Sequence, residues 1–360
     1  MALKSWQHSE QIQWMWKANE NVFDLTQEAE WTMYTDVENQ IIEQAYQKRM
    51  PEALLDQYHV NFEHLMQISN KDERQQRPVK RVAVDTSQQM LRKERFLAKP
   101  LTPSKPFSDS DQLDFLLATQ KHFNISSDWD ENEEEVRMLV DKAAEGILIE
   151  GKLLGKQRQG EWMAEQLVYF NDDPLEEITK MCAHLYCLES FLYQKLNEIM
   201  RLTHDEQYEH VWKSKVPTLG PFAWFLANMK RTEDPRTSTT VYRGCNLSTE
   251  AIEEWKQLYK EHQMSGLKRC TFISFTSTSR NRKKAEFMSG NVLFIIDICG
   301  YRDGRDISPF SNYDEEEFLL EPGFSMHISS CKYDENIQKW IIHVLSHDFT
   351  YNFGDMESRH

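Results

Sequence analysis

Hydrophobic positions in the first part of the chain change period within short distances. Trp14 and Trp16 come early, and Tyr58, Val60 and Phe62 follow in period-two alternation, which predicts strands. Between them, Trp31 and Tyr34 precede Ile41-Ile42-Glu43-Gln44-Ala45-Tyr46, whose apolar spacing is helical. Strand, strand, helix and further strands are therefore expected over residues 1–84, with Trp31, Tyr34 and Tyr46 in the core. Pro100, Pro103 and Pro106, mixed with Ser and Lys, mark residues 85–125 as a basic, proline-containing linker. A helix is expected to begin at Ser126 or Ser127, because either can act as N-cap and Asp128, Asp130, Glu131, Glu133 and Glu134 favour the positive end of the helix dipole. Behind that cap Val136, Leu139, Val140, Ala143, Ala144, Ile147 and Leu148 fall on one face. Helical spacing continues through Trp162–Tyr169 and Leu175–Met200. From Thr239 the runs become short, β-branched and aromatic: Val241-Tyr242, 271–275, 292–298, 318–320, 326–328 and 340–345. The expected fold class is α+β: a small sheet with a helix, then a domain over 126–347 with a helical lobe (126–238) and a β-rich core (239–347), and a tail at 348–360.

Length and charge agree with more than one domain. At 360 residues the chain exceeds a single small core, and Lys+Arg 42 against Asp+Glu 58 gives a net charge of −16, which argues against general nucleic-acid binding. The distribution is uneven. From Arg74 to Lys105 nine basic residues face two acidic ones, a local balance of +7 that leaves −23 on the rest. A bound polyanion must then be met locally. Six scattered cysteines form no CxxC pair and no Cys/His cluster, so neither a disulfide scaffold nor a structural metal is expected. No apolar run reaches the length of a membrane span, and an intracellular protein, cytoplasmic or nuclear, without membrane association is expected.

The ordered set Trp14-x-Trp16, Trp31-x-x-Tyr34, Ile42-Glu43, Ala45-Tyr46, Tyr58-x-Val60-x-Phe62, Met66-Gln67, Asn70 and Arg77-x-Val79-Lys80-Arg81 resembles the WWE domain over about the first 83 residues. The resemblance implies a half-barrel sheet with one helix that binds the iso-ADP-ribose unit of poly(ADP-ribose), or a terminal ADP-ribose. On the family pattern Trp16 and Tyr58 line the pocket, Gln67 bonds the base or ribose edge and Arg77 meets phosphate, with Lys80 and Arg81 adding positive potential. Flat aromatic walls, a few edge hydrogen bonds and cations suit adenine and pyrophosphate. Family members often carry tyrosine where Trp16 stands, and the larger ring narrows the pocket.

Three short motifs follow in order: Val241-Tyr242-Arg243-Gly244, then Ser274-Phe275-Thr276-Ser277-Thr278-Ser279, then the run from Asp306 through Tyr313 to Glu315-Glu316-Glu317-Phe318-Leu319-Leu320. They resemble the Arg, Ser-Thr-Ser and Glu-x-Glu elements of the R-S-E class of mono-ADP-ribosyltransferases, the class of cholera-toxin-like and vertebrate arginine-specific enzymes. The upstream Leu185-Tyr186 with Leu196-Asn197-x-x-Met200-Arg201 resembles that family's helical lobe, so the likeness spans roughly residues 130–347. It implies a split β-sandwich core that takes NAD as substrate and needs no metal. Arg243 then bonds phosphate or ribose, Gly244 lets backbone approach the nicotinamide amide, and Ser277 holds the nicotinamide ribose and the glutamate-bearing strand in register. Phe287 stacks on nicotinamide. Glu317 is the catalytic carboxylate, bonding the ribose 2′-hydroxyl and offsetting oxocarbenium charge. Glu315, two residues earlier, marks arginine as the acceptor, because a guanidinium needs a carboxylate to orient it and take its proton. Tyr313 contacts the protein substrate. An extended strand through Glu315–Glu317 puts the outer two carboxylates on one side and Glu316 on the other.

The combined expectation is an arginine-directed NAD-dependent mono-ADP-ribosyltransferase acting on proteins with exposed arginine, tethered by its WWE module to ADP-ribosylated or poly(ADP-ribosyl)ated proteins. The pairing is unusual. WWE domains commonly accompany transferases with a His-Tyr-Glu triad, and the histidine of polymer-forming members is absent. Two alternatives stay open: NAD glycohydrolase activity of the same fold, and a non-catalytic ADP-ribose reader. Arg280, Arg282 and Lys283 are expected to be solvent-exposed.

Overall fold

The computed structural model describes residues 11–22, 24, 26–84, 113–230, 238–265, 269–288, 290–299 and 303–347. The cations at 92–105 and the tail at 348–360 lie outside these residues. Among the described residues the chain forms two compact units, one holding residues up to 84 with 127–195 and 217–222, the other 113–126, 196–216 and 223–347.

In the first unit, strands β1 (Gln11–Lys17), β2 (Trp31–Met33), β3 (Glu52–Leu54), β4 (Tyr58–Asn61), β5 (Met66–Ser69) and β6 (Gln76–Val84) form an antiparallel sheet in the order β2-β1-β6-β5-β4-β3, with α1 (Asp36–Gln47) packed against it. The element order matches the sequence expectation. Period-two alternation brings Trp14, Val60 and Val79 to one face, where Ile42 and Ala45 of α1 complete the core. Helix and strand are also tied by side chains. Asn39 Oδ1 accepts from the Trp14 amide at 2.7 Å, and Trp14 Nε1–H donates to Glu43 Oε2 at 2.8 Å. Arg81 closes the same carboxylate through two bonds, from Nε at 2.9 Å and Nη2 at 2.7 Å. Of the three aromatics expected in the core only Tyr34 is buried. Trp31 is half-buried, and Tyr46, at the last turn of α1, is 43 % exposed.

α1 ends where Arg49 takes a left-handed φ of +55°. The Met50 amide then reaches back to the Ala45 carbonyl at 3.0 Å, the six-to-one bond of a Schellman turn, and Pro51 bars further helix. Two aspartates of the small domain also bond helix-flanking backbone in this unit. Asp56 Oδ1 accepts from the Arg158 amide in the first turn of α4 (Gln157–Tyr169), and Asp36 Oδ2 accepts from the Glu189 amide just before α6 (Phe191–Arg201), each at 2.7 Å.

The helical pattern of the middle third is observed with corrected boundaries. A helix, α2 (Asp114–Phe123), occupies residues read from sequence as linker. α3 (Glu133–Leu153) starts at neither Ser126 nor Ser127. Its N-cap is Asn132, whose side chain accepts from the Glu135 amide, because a 3-10 turn at Trp129–Glu131 first buries Trp129. The predicted face is buried except Leu148, which is 40 % exposed. The continuous helix expected over 175–200 is two, α5 (Leu175–Cys187) and α6, and α7 (Glu209–Ala227) follows.

In the second unit, β7 (Ser238–Cys245), β8 (Arg269–Phe272), β9 (Thr276–Ser279), β10 (Val292–Cys299), β11 (Gly304–Asp306), β12 (Glu317–Leu320), β13 (Phe324–Asp334) and β14 (Lys339–Ser346) lie in the order β11-β12-β9-β7-β10-β14-β13-β8. β10 and β14 run parallel. The ladder is pinched between β7 and β9, which share the single pair Tyr242↔Ser279, so three strands split from five. Two helices, α8 (Thr249–Ser265) and α9 (Arg282–Met288), were not expected from the sequence. α8 buries Ile252 and Trp255 against the five-stranded part.

Arg305 fixes the outer edge of the sheet. It is 2 % exposed, and its guanidinium donates to the carbonyls of Leu226, Met229 and Ala227 at the end of α7 at 2.9, 2.7 and 3.0 Å, and to Glu321 Oε1 at 2.5 Å. A cation at the C-terminal carbonyls of a helix complements its dipole. Beside it Gly304 lies so close to the Leu319 carbonyl of β12 that any Cβ would collide with it.

Candidate functional site

The three motifs converge on the pinched region. Arg243 lies in β7, opposite Phe294 of β10, and its Nη1 donates to the Ser277 carbonyl at 2.6 Å, bridging the gap that backbone pairing leaves open. Gly244 follows, buried in the strand. Next in β7, burial pushes the Cys245 thiol up to about 11, against the nearby Arg243 charge, so it is a neutral thiol and no nucleophile at neutral pH.

β9 consists of the hydroxyl run itself. Ser277 pairs with Leu319, and Ser279 pairs with Glu317, so both serines share a face with that carboxylate. Among the described residues the Ser277 hydroxyl has no hydrogen-bond partner. Ser279 and Thr278, not singled out from the sequence, hold the adjacent chain: Ser279 Oγ donates to the Glu315 carbonyl at 2.7 Å and Thr278 Oγ1 to the Phe318 carbonyl at 2.6 Å.

Glu315 and Glu317 are both 0 % exposed, while Glu316 is half-buried. The reason differs from the extended strand expected. β12 begins only at Glu317, and Glu316 has a left-handed φ of +49°, so a kink aims the two flanking side chains inward. An L-residue there costs roughly 1–2 kcal/mol, which local bonds must offset. Lys284 of α9 supplies two: its Nζ meets Glu316 Oε1 at 2.8 Å and Asp314 Oδ1 at 2.9 Å. Asn281 Nδ2 donates to Glu316 Oε1 at 2.8 Å, and the Arg280 amide donates to the Glu316 carbonyl at 3.0 Å. The Lys284 and Asn281 bonds hold the Glu316 carboxyl below its ordinary range, and Glu316 and Asp314 outweigh burial to raise Lys284. The separation of Lys284 from the acidic run hid this anchor from the sequence reading.

The cations after the hydroxyl run are mostly engaged. Arg280, expected to be exposed, is half-buried, meets Asp306 Oδ2 at 2.6 Å and stands over the Phe318 ring. Arg282 pairs with Glu286 within α9. Phe287, on the same helix, is 62 % exposed. Tyr313 sits half-buried in the loop before Glu315, its amide donating to Ser311 Oγ at 3.1 Å.

In the sheet of the first unit, Trp16 and Tyr58 are half-buried and Gln67 is buried. Tyr34, whose hydroxyl burial keeps protonated, donates to Gln67 Oε1 at 2.5 Å. Arg77 stands over the Trp16 ring at 5.3 Å, and its Nη1 donates to the carbonyls of Lys17 and Asn19, both at 2.9 Å. Lys80 and Arg81, read as free positive potential, are not free: Lys80 lies 4.2 Å from the Trp31 ring centroid and Arg81 is neutralised by Glu43. Among the described residues no group of three or more His, Cys, Asp or Glu is arranged to hold a metal ion, and no helix is long and apolar enough to cross a membrane.

A split sheet carrying an arginine, a hydroxyl strand and two buried glutamates follows a helical segment and a small WWE-type sheet. The family model of NAD:arginine ADP-ribosyltransferase matches residues 119–348, well over half the chain, and the chain belongs to that family. The WWE domain model matches residues 12–81. No curated protein sequence matches the chain. Similar solved structures include the ADP-ribosyltransferase HopU1 of Pseudomonas syringae pv. Tomato DC3000, with 19 % identity, 51 % of this chain and 87 % of that one covered, and a TM-score of 0.37. Others are the type III effector XopAI of Xanthomonas axonopodis pv. citri (15 %, 65 % and 98 %, 0.39) and exoenzyme S of Pseudomonas aeruginosa, solved with human 14-3-3 protein beta and Carba-NAD (16 %, 58 % and 89 %, 0.36).

Proposed function

We propose that this protein transfers a single ADP-ribose from NAD to arginine side chains of proteins, and that its WWE domain binds ADP-ribose or poly(ADP-ribose). The observation that carries the transferase reading is the pair of fully buried carboxylates, Glu315 and Glu317, flanking the outward-turned Glu316. In the proposed reaction the bond from ribose C1′ to the nicotinamide nitrogen breaks and nicotinamide leaves with the bonding electrons. Glu317 offsets the oxocarbenium charge through the ribose 2′-hydroxyl, and Glu315 orients the acceptor guanidinium. A guanidinium nitrogen then bonds C1′ as its proton passes to Glu315. Arg243 and Ser277 hold the dinucleotide, with Gly244 beneath the nicotinamide amide, Phe287 against its ring and Tyr313 toward the protein acceptor.

Incubation with labelled NAD and agmatine, a free guanidino compound, tests the reading. Wild type is expected to form ADP-ribosylagmatine and to label protein, Glu317→Gln to do neither, and Glu315→Gln to release nicotinamide without labelling the acceptor. Nicotinamide release by wild type without any labelling makes the protein a glycohydrolase. No turnover of NAD makes it a reader. For the WWE domain, saturable binding of iso-ADP-ribose that Arg77→Ala weakens is expected; no binding by wild type removes that role.

A further inference from the structure

The core face of the small sheet has two ends. Strand register puts Trp16, Tyr58, Gln67 and Arg77 toward one, the first mouth. Beyond Trp14, Val60 and Val79, all buried, Phe62 and Arg81 stand toward the other, the second mouth. Arg77 and Arg81 lie four residues apart on β6, hence on the same face with backbones about 14 Å apart at 3.4 Å per residue. The second mouth is a cavity of about 680 Å³, within the range of small-ligand sites.

Its lining offers one consistent chemistry. The Tyr46 and Phe62 rings, 5.4 Å apart and nearly perpendicular, form an aromatic corner. Two amides face the cavity with half of their capacity spent. Gln47 Nε2 donates to Glu43, which leaves its Oε1 to accept; Asn61 Oδ1 accepts from the His64 amide, which leaves its Nδ2 to donate. An acceptor and a donor lining one cavity are what adenine answers, with its N6 hydrogens and its N1 or N7. Among the described residues the Arg49 guanidinium has no partner, and Arg81 has Nη1 unspent. The Schellman turn fixes the Arg49 backbone at the cavity rim, with its side chain exposed there. Glu63 is the one carboxylate in the lining, and Glu43 behind it already neutralises Arg81, so among the described residues Arg49 is the cation here without an ion pair.

We infer that this second mouth is a binding site for a phosphate-bearing adenine nucleotide, separate from the pocket around Arg77. Tyr46 and Phe62 flank the base, Gln47 and Asn61 read its edge, and Arg49 takes the phosphate, with Arg81 Nη1 as a further donor. The ligand is either a free nucleotide or one unit of an ADP-ribose chain whose neighbour occupies the first mouth.

Photo-crosslinking of the full chain with 8-azido-AMP, followed by residue-level mass spectrometry, locates binding irrespective of other nucleotide sites. Label is expected on Tyr46 or Phe62 and is expected to fall at least about tenfold in Arg49→Asn, a residue that tolerates left-handed φ. Asn61→Asp, which keeps the acceptor for His64 and removes the donor, is expected to act likewise. Arg77→Ala should leave this label unchanged. Label confined to Trp16 or Tyr58, or label on Tyr46 and Phe62 that neither Arg49→Asn nor Asn61→Asp reduces, overturns the inference while leaving the first mouth standing. Titration with AMP and with a two-unit ADP-ribose oligomer separates the sources. A chain spanning both mouths loses affinity in either Arg49→Asn or Arg77→Ala; a nucleotide held at the second mouth alone responds only to Arg49→Asn.

Discussion

Replacing Lys284 by Met removes a charge from a loop that holds a left-handed residue between two buried carboxylates. The Lys284 side chain is 18 % exposed, while its partners Glu316 and Asp314 are 43 % and 73 % exposed. Solvent therefore screens both pairs, and each is worth roughly 0.5–1 kcal/mol. Together they amount to about 1–2 kcal/mol, which is the cost of the φ of +49° at Glu316. Losing them shifts the loop equilibrium by a factor of about 5–30. Met keeps the apolar stem of lysine, so the packing of α9 is retained. Glu317 keeps its ladder pairing with Ser279, whereas Glu315 precedes the strand, so under the proposed mechanism that shift falls on the step that needs Glu315. ADP-ribosylagmatine formation is expected to drop about 5- to 30-fold in kcat/KM, while nicotinamide release without acceptor stays within about threefold of wild type, under 1 kcal/mol. Glycine accepts φ of +49° without penalty, so Glu316→Gly added to Lys284→Met should recover most of the transfer. Equal loss of both activities in Lys284→Met, or no recovery in the double variant, refutes this account of the loop.

Arg305→Met strands three helix-end carbonyls and leaves Glu321 without its cation; breaking such a buried pair costs about 3–5 kcal/mol, seen as a lower urea midpoint by tryptophan fluorescence, and Arg305→Met/Glu321→Met should be milder. Gly304→Val forces β11 away from the strand bearing Glu317, so NAD turnover is expected to fall even at temperatures where circular dichroism reports a folded protein. Burial would raise the Glu43 carboxyl, but its bonds from Arg81, Trp14 and Gln47 prevail and hold it below the ordinary carboxylate range. A depressed folded value means stability that is present above the unfolded value and lost as pH falls through the folded one, so Tm should decline below about pH 4.5 and Glu43→Gln should flatten that decline.

The strands of the small sheet were legible because aromatic residues alternating with polar ones can satisfy only a half-buried surface. Depth along the barrel was not. Trp14 and Trp16 share a face and a spacing, yet one is wholly buried and the other half-buried, because period identifies the side of a strand and not the distance from its mouth. Tyr46 misled for the same reason: its helical phase points to the core, but it stands at the last turn, where the barrel opens. In the larger domain Arg243, Ser277, Glu315 and Glu317 were legible as motifs, whereas their supports were not. Lys284, Asn281 and Asp306 reach the site through the fold, and Glu316 lacks the Gly or Asn that normally signals a left-handed turn. α8 carries Ile252 and Trp255 at three-residue spacing, a short helical signal set amid β-branched runs.

The basic stretch shows how little a charge count says before partners are known. Its four described cations are all engaged: Arg74 with Asp72, Arg77 with two carbonyls and the Trp16 ring, Lys80 on Trp31 and Arg81 with Glu43. Arg77 spends only Nη1 on the Lys17 and Asn19 carbonyls, so its remaining N–H groups can meet a phosphate at the first mouth while those bonds stay. Such a bond is charge-assisted and roughly twice as strong as one to a neutral acceptor. The two carbonyls belong to the segment that Lys17 Nζ and Asn19 clip to Val22, Glu28 and Glu30. Arg77 is thus already tethered, whereas among the described residues Arg49 at the other mouth has no partner to share. On a molecule of net charge −16, the cation with the least to lose is the better guide to where an anion settles than the longest run of lysine and arginine.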